Sequence, residues 1–226
     1  MHEPRHESHF LSDIRAIRER ARRHIEQGAV TPSYGADRRT AIRLLNEALA
    51  TEIVCTLRYR RHYYMAQGIH AQSVAQEFLE HADEEQQHAD RIAKRIVQLG
   101  GEPDLSPQGL AERSHAEYVE GGDLVDMLRE DLNAERIAIE SYTEMVRWFG
   151  EGDPTSRRLV ESILEVEEEH AEDLATLLAS HAPRRGSDGD ERSRARRGRE
   201  ERWEPRGGPR EGPPSDGQGH GPRWTR

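Results

Sequence analysis

Four long blocks of helical periodicity fill residues 37–182 and most constrain what this chain can fold into. In each block, apolar residues recur at alternating steps of three and four, which is the spacing of one helical face. Glycine and proline mark the boundaries between the blocks. The pattern predicts helices at 38–67, 72–99, 123–149 and 154–181, and therefore an all-α domain.

The connections between the blocks predict how the helices are arranged. Only a few residues separate the first block from the second and the third from the fourth, so each pair is expected to form an antiparallel hairpin. A much longer segment, around Gly101 to Gly122, separates the two pairs. Such a segment can extend over about 66 Å, whereas each predicted helix is about 42 Å long. We therefore predict a four-helix bundle of two antiparallel hairpins joined by a long crossover.

Carboxylates interrupt the apolar faces of all four predicted helices near their midpoints. They are Glu52, Glu85, Glu135 and Glu167, and a histidine follows the second and the fourth three residues later, at His88 and His170. Residues at i and i+3 lie on the same face of a helix. The two halves repeat, since the step from Glu52 to Glu85 nearly equals the step from Glu135 to Glu167. These six residues predict one site with internal two-fold symmetry.

The chemistry of these side chains points to a pair of metal ions. Four carboxylates buried together are costly unless cations balance their charge. Two divalent ions supply that charge, and a mixed set of carboxylate and imidazole ligands suits iron or manganese. One Glu-x-x-His motif is a weak signal in a chain with 43 acidic residues and 12 histidines. Six ligand-type residues at matched positions on four helices are a specific signal.

Other polar residues on the same faces receive more modest interpretations. His81 and Asp131 are expected to contribute polar packing or hydrogen bonds to metal ligands. Tyr59 and Tyr142 each lie seven residues after a site glutamate, and we favour core packing for them, with hydrogen bonds to ligands as the alternative. His62 is expected at a surface or helix-end position.

The bundle region resembles the ferritin-like superfamily over residues 37–181, and bacterioferritins most closely, with DNA-protection-like ferritins next. The segments that carry the resemblance are LNEALATE at 45–52, EQQH at 85–88, Glu135, and EEEH at 167–170. The resemblance implies that Glu52 and Glu135 are terminal ligands on separate metals. It also implies that Glu85 and Glu167 bridge the metals, and that His88 and His170 each complete one of them.

The resemblance further implies a ferroxidase, which oxidises Fe²⁺ to Fe³⁺ with O₂ or peroxide at two iron ions per subunit. Such proteins store iron in a homo-oligomeric shell of 12 or 24 subunits. Haem-binding bacterioferritins carry Met after the second glutamate, and Gln86 stands there, so we expect no haem. Two alternatives remain open. One is a dimetal peroxidase or catalase of the manganese-catalase or rubrerythrin kind, and the other is a DNA-protecting shell.

The segments that flank the bundle differ from it in charge. Residues 37–182 hold 15 basic and 30 acidic residues, whereas the C-terminal segment 183–226 holds 12 Arg and eight acidic residues among many Gly and Pro. We predict that 183–226 is a disordered tail, and we favour a solvated tail over nucleic-acid binding. In the N-terminal arm, residues 1–36, we predict a short amphipathic helix that docks on the bundle or on a neighbouring subunit. Its apolar stripe comprises Phe10, Ile14, Ile17, Ala21 and Ile25.

Three further features set expectations about the environment of the protein. No apolar run is long enough to cross a bilayer, so no membrane-spanning helix is expected. The first ten residues are polar and contain no apolar core of a secretory signal. Cys55 is the one cysteine, which excludes a disulfide framework within the chain. A cytoplasmic protein is the resulting expectation.

Overall fold

The computed structural model describes residues 13–68 and 71–181, and within these ranges the chain is helical with no strand. The α-helices are α1 (Ile14–Ala21), α2 (Arg38–Met65), α3 (Ala71–Gln98), α4 (Leu110–Arg113), α5 (Leu124–Phe149) and α6 (Pro154–His181). The four long helices begin and end within two residues of the predicted bounds. The all-α fold class is confirmed.

Aspartate side chains cap the N-termini of three of the long helices. The Asp37 carboxylate accepts a hydrogen bond from the backbone N–H of Thr40 at 2.8 Å, and α2 begins at the next residue. Asp123 caps α5 in the same way, and Asp153 caps α6 by accepting from the N–H of Ser156 at 2.9 Å. Each cap satisfies an N–H group that the first helical turn leaves without a partner.

The long helices form two hairpins, because α2 packs mainly against α3 and α5 packs mainly against α6. The crossover between the hairpins, residues 99–123, runs along α2. Near one end of α2 the Asn46 side chain accepts from the N–H of Asp104 at 2.7 Å, and near the other end Arg61 donates to the backbone oxygen of Glu120 at 2.7 Å. The crossover therefore extends along most of the bundle, as its length predicts.

The apolar core consists of two clusters, one toward each end of the bundle. One cluster contains Leu45, Leu49, Ile92, Ile96, Phe149 and Ile163. The other contains Tyr59, Val74, Phe78, Leu128 and Leu174. In α2 the boundary between the clusters falls between Leu49 and Cys55, on either side of Glu52. Glu52 thus lies in the middle of the bundle, where a low dielectric strengthens electrostatic interactions.

The arm before α2 contacts the second hairpin of the bundle. The Tyr34 hydroxyl donates to the Asp153 carboxylate at 2.9 Å, and the N–H of Gly35 donates to the Gly152 oxygen at 3.1 Å. The predicted arm helix is present as α1, but none of its residues is buried, so it does not dock on the bundle through a buried face. Docking on a neighbouring subunit stays a prediction, and Phe10 and the tail 183–226 lie outside the described residues.

No helix in the described part of the chain combines the length and the apolar character needed to cross a membrane.

Candidate metal centre

The four long helices bring all six predicted site residues together in the middle of the bundle. The glutamates come one from each helix, and the histidines come from α3 and α6. Every one of the six is at most 3% exposed; they are Glu52, Glu85, His88, Glu135, Glu167 and His170. The Glu-x-x-His spacing places carboxylate and imidazole on the same inward face of α3, and again of α6.

Within the centre, the ligand atoms form two overlapping groups. One group contains Glu52 and His88, the other contains Glu135 and His170, and Glu85 and Glu167 belong to both. In each group, one nitrogen or oxygen atom per residue lies within 4.8 Å of the others. Two adjacent positions for a cation therefore share two carboxylates, which is the geometry of a bridged pair of ions.

Both imidazoles turn Nδ1 toward the shared carboxylates. Nδ1 of His88 lies 3.1 Å from a Glu167 oxygen and 3.4 Å from a Glu52 oxygen. Nδ1 of His170 lies 3.4 Å from a Glu85 oxygen and 3.6 Å from a Glu167 oxygen. The two histidines therefore flank the shared carboxylates, and Nδ1 of each could serve as a ligand atom.

Unpartnered oxygens and raised carboxyl pKa values in the centre favour the binding of a cation. Buried oxygens of Glu85, Glu135 and Glu167 and Nδ1 of His170 have no hydrogen-bond partner among the described residues. Burial, followed by the charge of Glu85, raises the pKa of Glu52 to about 8, and burial raises the pKa of Glu135 well above its usual value. Two divalent ions would stabilise the ionised forms and use the unpartnered oxygens as ligands. The donor set therefore fits a pair of hard or borderline divalent metals.

Two tyrosines cross-link the halves of the centre. The Tyr59 hydroxyl of α2 donates to Glu135 of α5, and the Tyr142 hydroxyl of α5 donates to Glu52 of α2. Both rings are also fully buried in the core. The hydrogen-bonding alternative considered for these tyrosines is therefore what the structure shows, together with core packing. Each bond fixes the orientation of a carboxylate that belongs to one group alone.

Polar residues lie on the outer side of His170, and three of them are not predicted from the sequence, namely Glu77, Glu84 and Asp173. A Glu84 carboxylate oxygen lies 2.7 Å from Nε2 of His170. The His81 ring stacks on the His170 ring with centroids 3.9 Å apart. Burial, with the charge of His170, lowers the pKa of His81 to about 3, so His81 is neutral at pH 7. Glu77 and Asp173 complete a third group with His81.

His62 lies in the last turn of α2, which agrees with the predicted helix-end position, but it is buried, so the surface alternative is wrong. Its Nδ1 lies 2.7 Å from one Asp131 oxygen, and Arg58 donates to the other Asp131 oxygen at 2.7 Å. Arg58 also donates to the backbone oxygen of Glu117, and Nε2 of His62 lies 3.0 Å from the backbone oxygen of Glu120. The physical reason for the error is the crossover, which covers this side of α2. Asp131 is a polar packing residue, as expected.

Comparison with known proteins places this architecture in a family. The family model described as "Ferritin-like domain" matches residues 42–181. The chain therefore belongs to the ferritin-like family, whose domain makes up most of its described residues.

Individual relatives agree with that assignment. The bacterioferritin of Desulfovibrio desulfuricans is 30% identical over 130 residues, which is 57% of this chain and 69% of that protein. The nutrient stress-induced DNA-binding protein of Synechococcus is 32% identical over 138 residues, or 60% of this chain and 78% of that protein. The structure of a dodecameric, bacterioferritin-related thioferritin from Bacteroides fragilis superposes with a TM-score of 0.63 and 34% identity, covering 66% of this chain and 89% of that one.

Proposed function

We propose that this protein is a bacterioferritin-like ferroxidase that oxidises Fe²⁺ to Fe³⁺ and serves iron storage and detoxification. The observation that carries the proposal is the pair of overlapping ligand groups that share Glu85 and Glu167. Membership of the ferritin-like family and the similarity to proteins named bacterioferritin support it.

In this proposal two Fe²⁺ ions bind as substrates in adjacent positions. Glu85 and Glu167 bridge them, because both residues belong to both groups. Glu52 and His88 complete one position, and Glu135 and His170 complete the other. The two ions give up one electron each, so one O₂ and two protons yield H₂O₂. With peroxide as the oxidant, two electrons and two protons yield two water molecules instead.

The protein holds the two ions close together and orients their ligands. Tyr59 and Tyr142 fix the carboxylates of Glu135 and Glu52. The apolar clusters on either side exclude water, which strengthens the binding of a charged substrate. Oxidation adds positive charge at the centre, and the four buried carboxylates stabilise that charge.

Storage requires a closed shell, and we propose a homo-oligomer of 12 or 24 subunits. Large apolar side chains remain at least 37% exposed on the outer faces of α2 and α5 and on the crossover, which is typical of surfaces that pack against a partner. They include Leu57, Tyr118, Ile137 and Trp148. Light scattering of the purified protein measures the subunit number.

The decisive experiment adds Fe²⁺ aerobically to metal-free protein and then separates the product by size exclusion with iron detection. We expect fast oxidation, with iron eluting in a large shell. Glu135→Ala and His170→Ala should lose the fast phase, whereas Glu140→Ala should keep it, because Glu140 is an exposed residue on the same helix as Glu135. Unchanged oxidation in the first two variants would show that the proposed site is wrong.

Size exclusion and two further assays separate the alternatives. A small oligomer that binds two metals per chain and disproportionates peroxide would favour the manganese-catalase or rubrerythrin kind of enzyme. Salt-sensitive DNA binding that is lost on deleting residues 183–226 would favour a DNA-protecting shell. The absence of haem at Gln86 stays a prediction, which the absorption spectrum of the protein as isolated tests. Gln86 is exposed, and it donates to Asp90 at 3.1 Å.

A further inference from the structure

The internal repeat breaks down around the two histidines of the centre. The step along the chain from Glu85 to Glu167 equals the step from His88 to His170. The same offset pairs each polar residue near His170 with a very different residue in the other half. These pairs are Glu84 with Val166, His81 with Ile163, Glu77 with Leu159, and Asp173 with Arg91. The surroundings of His170 are therefore acidic, whereas the equivalent positions in the other half are apolar or basic.

Three of these residues form a compact group of ligand atoms. Glu77, His81 and Asp173 each offer one nitrogen or oxygen atom, and these atoms lie within 4.8 Å of one another. The Glu77 side chain is 32% exposed and Asp173 is exposed, so the group is open to solvent on one side. On the other side, the His81 ring stacks on His170.

His81 is oriented toward this group. Its side chain is 3% exposed. Its Nδ1 lies 3.3 Å from the Tyr59 hydroxyl, on the side of the bundle core. Its Nε2 forms no hydrogen bond within the described ranges, and a Glu77 oxygen lies 3.5 Å away, in the direction of the acidic group. A nitrogen without a hydrogen bond on a buried imidazole, facing two carboxylates, is a suitable ligand for a divalent cation.

We propose that Glu77, Nε2 of His81 and Asp173 form a third site for a divalent cation, and that this site delivers Fe²⁺ to the His170 side of the centre. Three protein ligands with an open side leave water to complete the coordination, so an ion held there can still exchange. The delivery role rests on the proposed ferroxidase function, whereas the binding site does not. The acidic surroundings raise the local concentration of cations beside one of the two positions.

The test uses the full chain, with Zn²⁺ as the probe of binding. Crystals of metal-free protein are soaked in Zn²⁺ and examined by anomalous diffraction. We compare wild-type protein with the double variant E77Q/D173N and with E80Q/E172Q, which removes the same charge from exposed positions on the same two helices. We expect a peak at His81 in the wild-type and control crystals and none in E77Q/D173N, which should keep the peaks at Glu85 and Glu167.

A wild-type crystal without the peak at His81, or a peak that persists in E77Q/D173N, overturns the third site. Peaks missing at Glu85 and Glu167 while the His81 peak is present would instead overturn the proposed dimetal centre. For delivery, we expect E77Q/D173N to raise the KM for Fe²⁺ by about 10-fold, the lower end of what a focused charge gives an association rate. Its kcat should equal that of E80Q/E172Q. An unchanged KM overturns the delivery role.

Discussion

Replacing Glu52 by glutamine should stabilise the metal-free protein, because four buried carboxylates destabilise one another in the absence of the cations that we propose for the centre. The Glu52 side chain is 1% exposed and packs beside Glu85 and His88. Glutamine has nearly the same shape, and its oxygen can accept the hydrogen bond that Tyr142 now donates to Glu52. The substitution removes a group that resists ionisation and leaves the packing in place.

The magnitude follows from the pKa of Glu52, which burial and the charge of Glu85 raise from 4.5 to about 8. At pH 7 the carboxyl is protonated in the folded protein and ionised in the unfolded chain. Because the folded pKa is the higher one, the wild-type protein loses stability as the pH rises from 4.5 toward 8, by about 1.4 kcal/mol per pH unit. Glu52→Gln should therefore gain about 3 kcal/mol at pH 7 and nothing near pH 4.5.

The assay is denaturant unfolding of metal-free wild-type and Glu52→Gln protein at several pH values and at one protomer concentration, since assembly shifts apparent stability. Glu47→Gln on the same helix is the control. The Glu47 carboxylate is partly exposed and paired with Arg43, so this substitution should lower the free energy of unfolding by less than about 1 kcal/mol. Added Mn²⁺ should stabilise wild-type protein more than Glu52→Gln. The reasoning fails if Glu52→Gln is less stable than wild type at pH 7, or if its gain does not change with pH.

Three further predictions test other parts of the site and fold. Tyr142→Phe removes the hydrogen bond to Glu52 and should weaken Co²⁺ binding about 10-fold in a spectroscopic titration; unchanged affinity would show that the hydroxyl does not position the ligand. Burial opposes protonation of His88 and His170, but hydrogen bonds to Glu167 raise the pKa of both histidines to about 12. Metal binding at pH 7 should therefore release protons, and the affinity should increase as the pH rises. Calorimetry in two buffers of different ionisation enthalpy detects that release, and identical heats would contradict it. Burial alone would raise the pKa of Asp153, but hydrogen bonds from Ser156 hold that pKa below 3.8. Asp153→Asn should therefore lower the free energy of unfolding at pH 7, and this loss should become smaller as the pH falls below about 4. A loss that stays constant in acid denaturation curves would refute the ionic role of Asp153.

The helices and the six residues of the centre could be predicted because their signals are local and repeated. Turn residues and aspartate caps mark the helix ends, as at Asp123 and Asp153. A carboxylate in the middle of an apolar face conflicts with core packing unless something compensates it. Four such conflicts at matched positions on four helices are hard to obtain by chance, so the sequence identifies the candidate metal centre.

The environment of His62 could not be predicted, because it depends on a distant segment. Steps of three and four residues from Glu52 and Tyr59 lead to Tyr63, whereas the structure buries His62 completely and leaves Tyr63 partly exposed. An ideal helix turns away from a strict seven-residue repeat by about 20° per repeat, so a face drawn by fixed steps drifts along a long helix. The crossover then covers the side of α2 that carries His62.

Residues outside His170 were missed for a different reason. Glu77, Glu84 and Asp173 are exposed or partly exposed, and single acidic residues on a helix surface are ordinary. The signal that distinguishes them is the comparison of the two halves at a fixed offset, where Glu84 aligns with Val166. The repeat therefore holds for the six residues of the centre and fails for the residues around His170.

The same comparison explains why only one half carries the buried network of Arg58, Asp131 and His62. The offset that relates Glu52 to Glu135 pairs these three residues with Ser141, Ala48 and Met145, none of which can form such a network. The crossover passes along α2, where backbone oxygens of Glu117 and Glu120 require donors. Arg58 and His62 supply contacts to those oxygens, and Asp131 balances the buried guanidinium. The residues that the two halves share thus fit the charge of the two metal ions that we propose, whereas the unshared polar residues follow from the one connection that breaks the symmetry of the bundle.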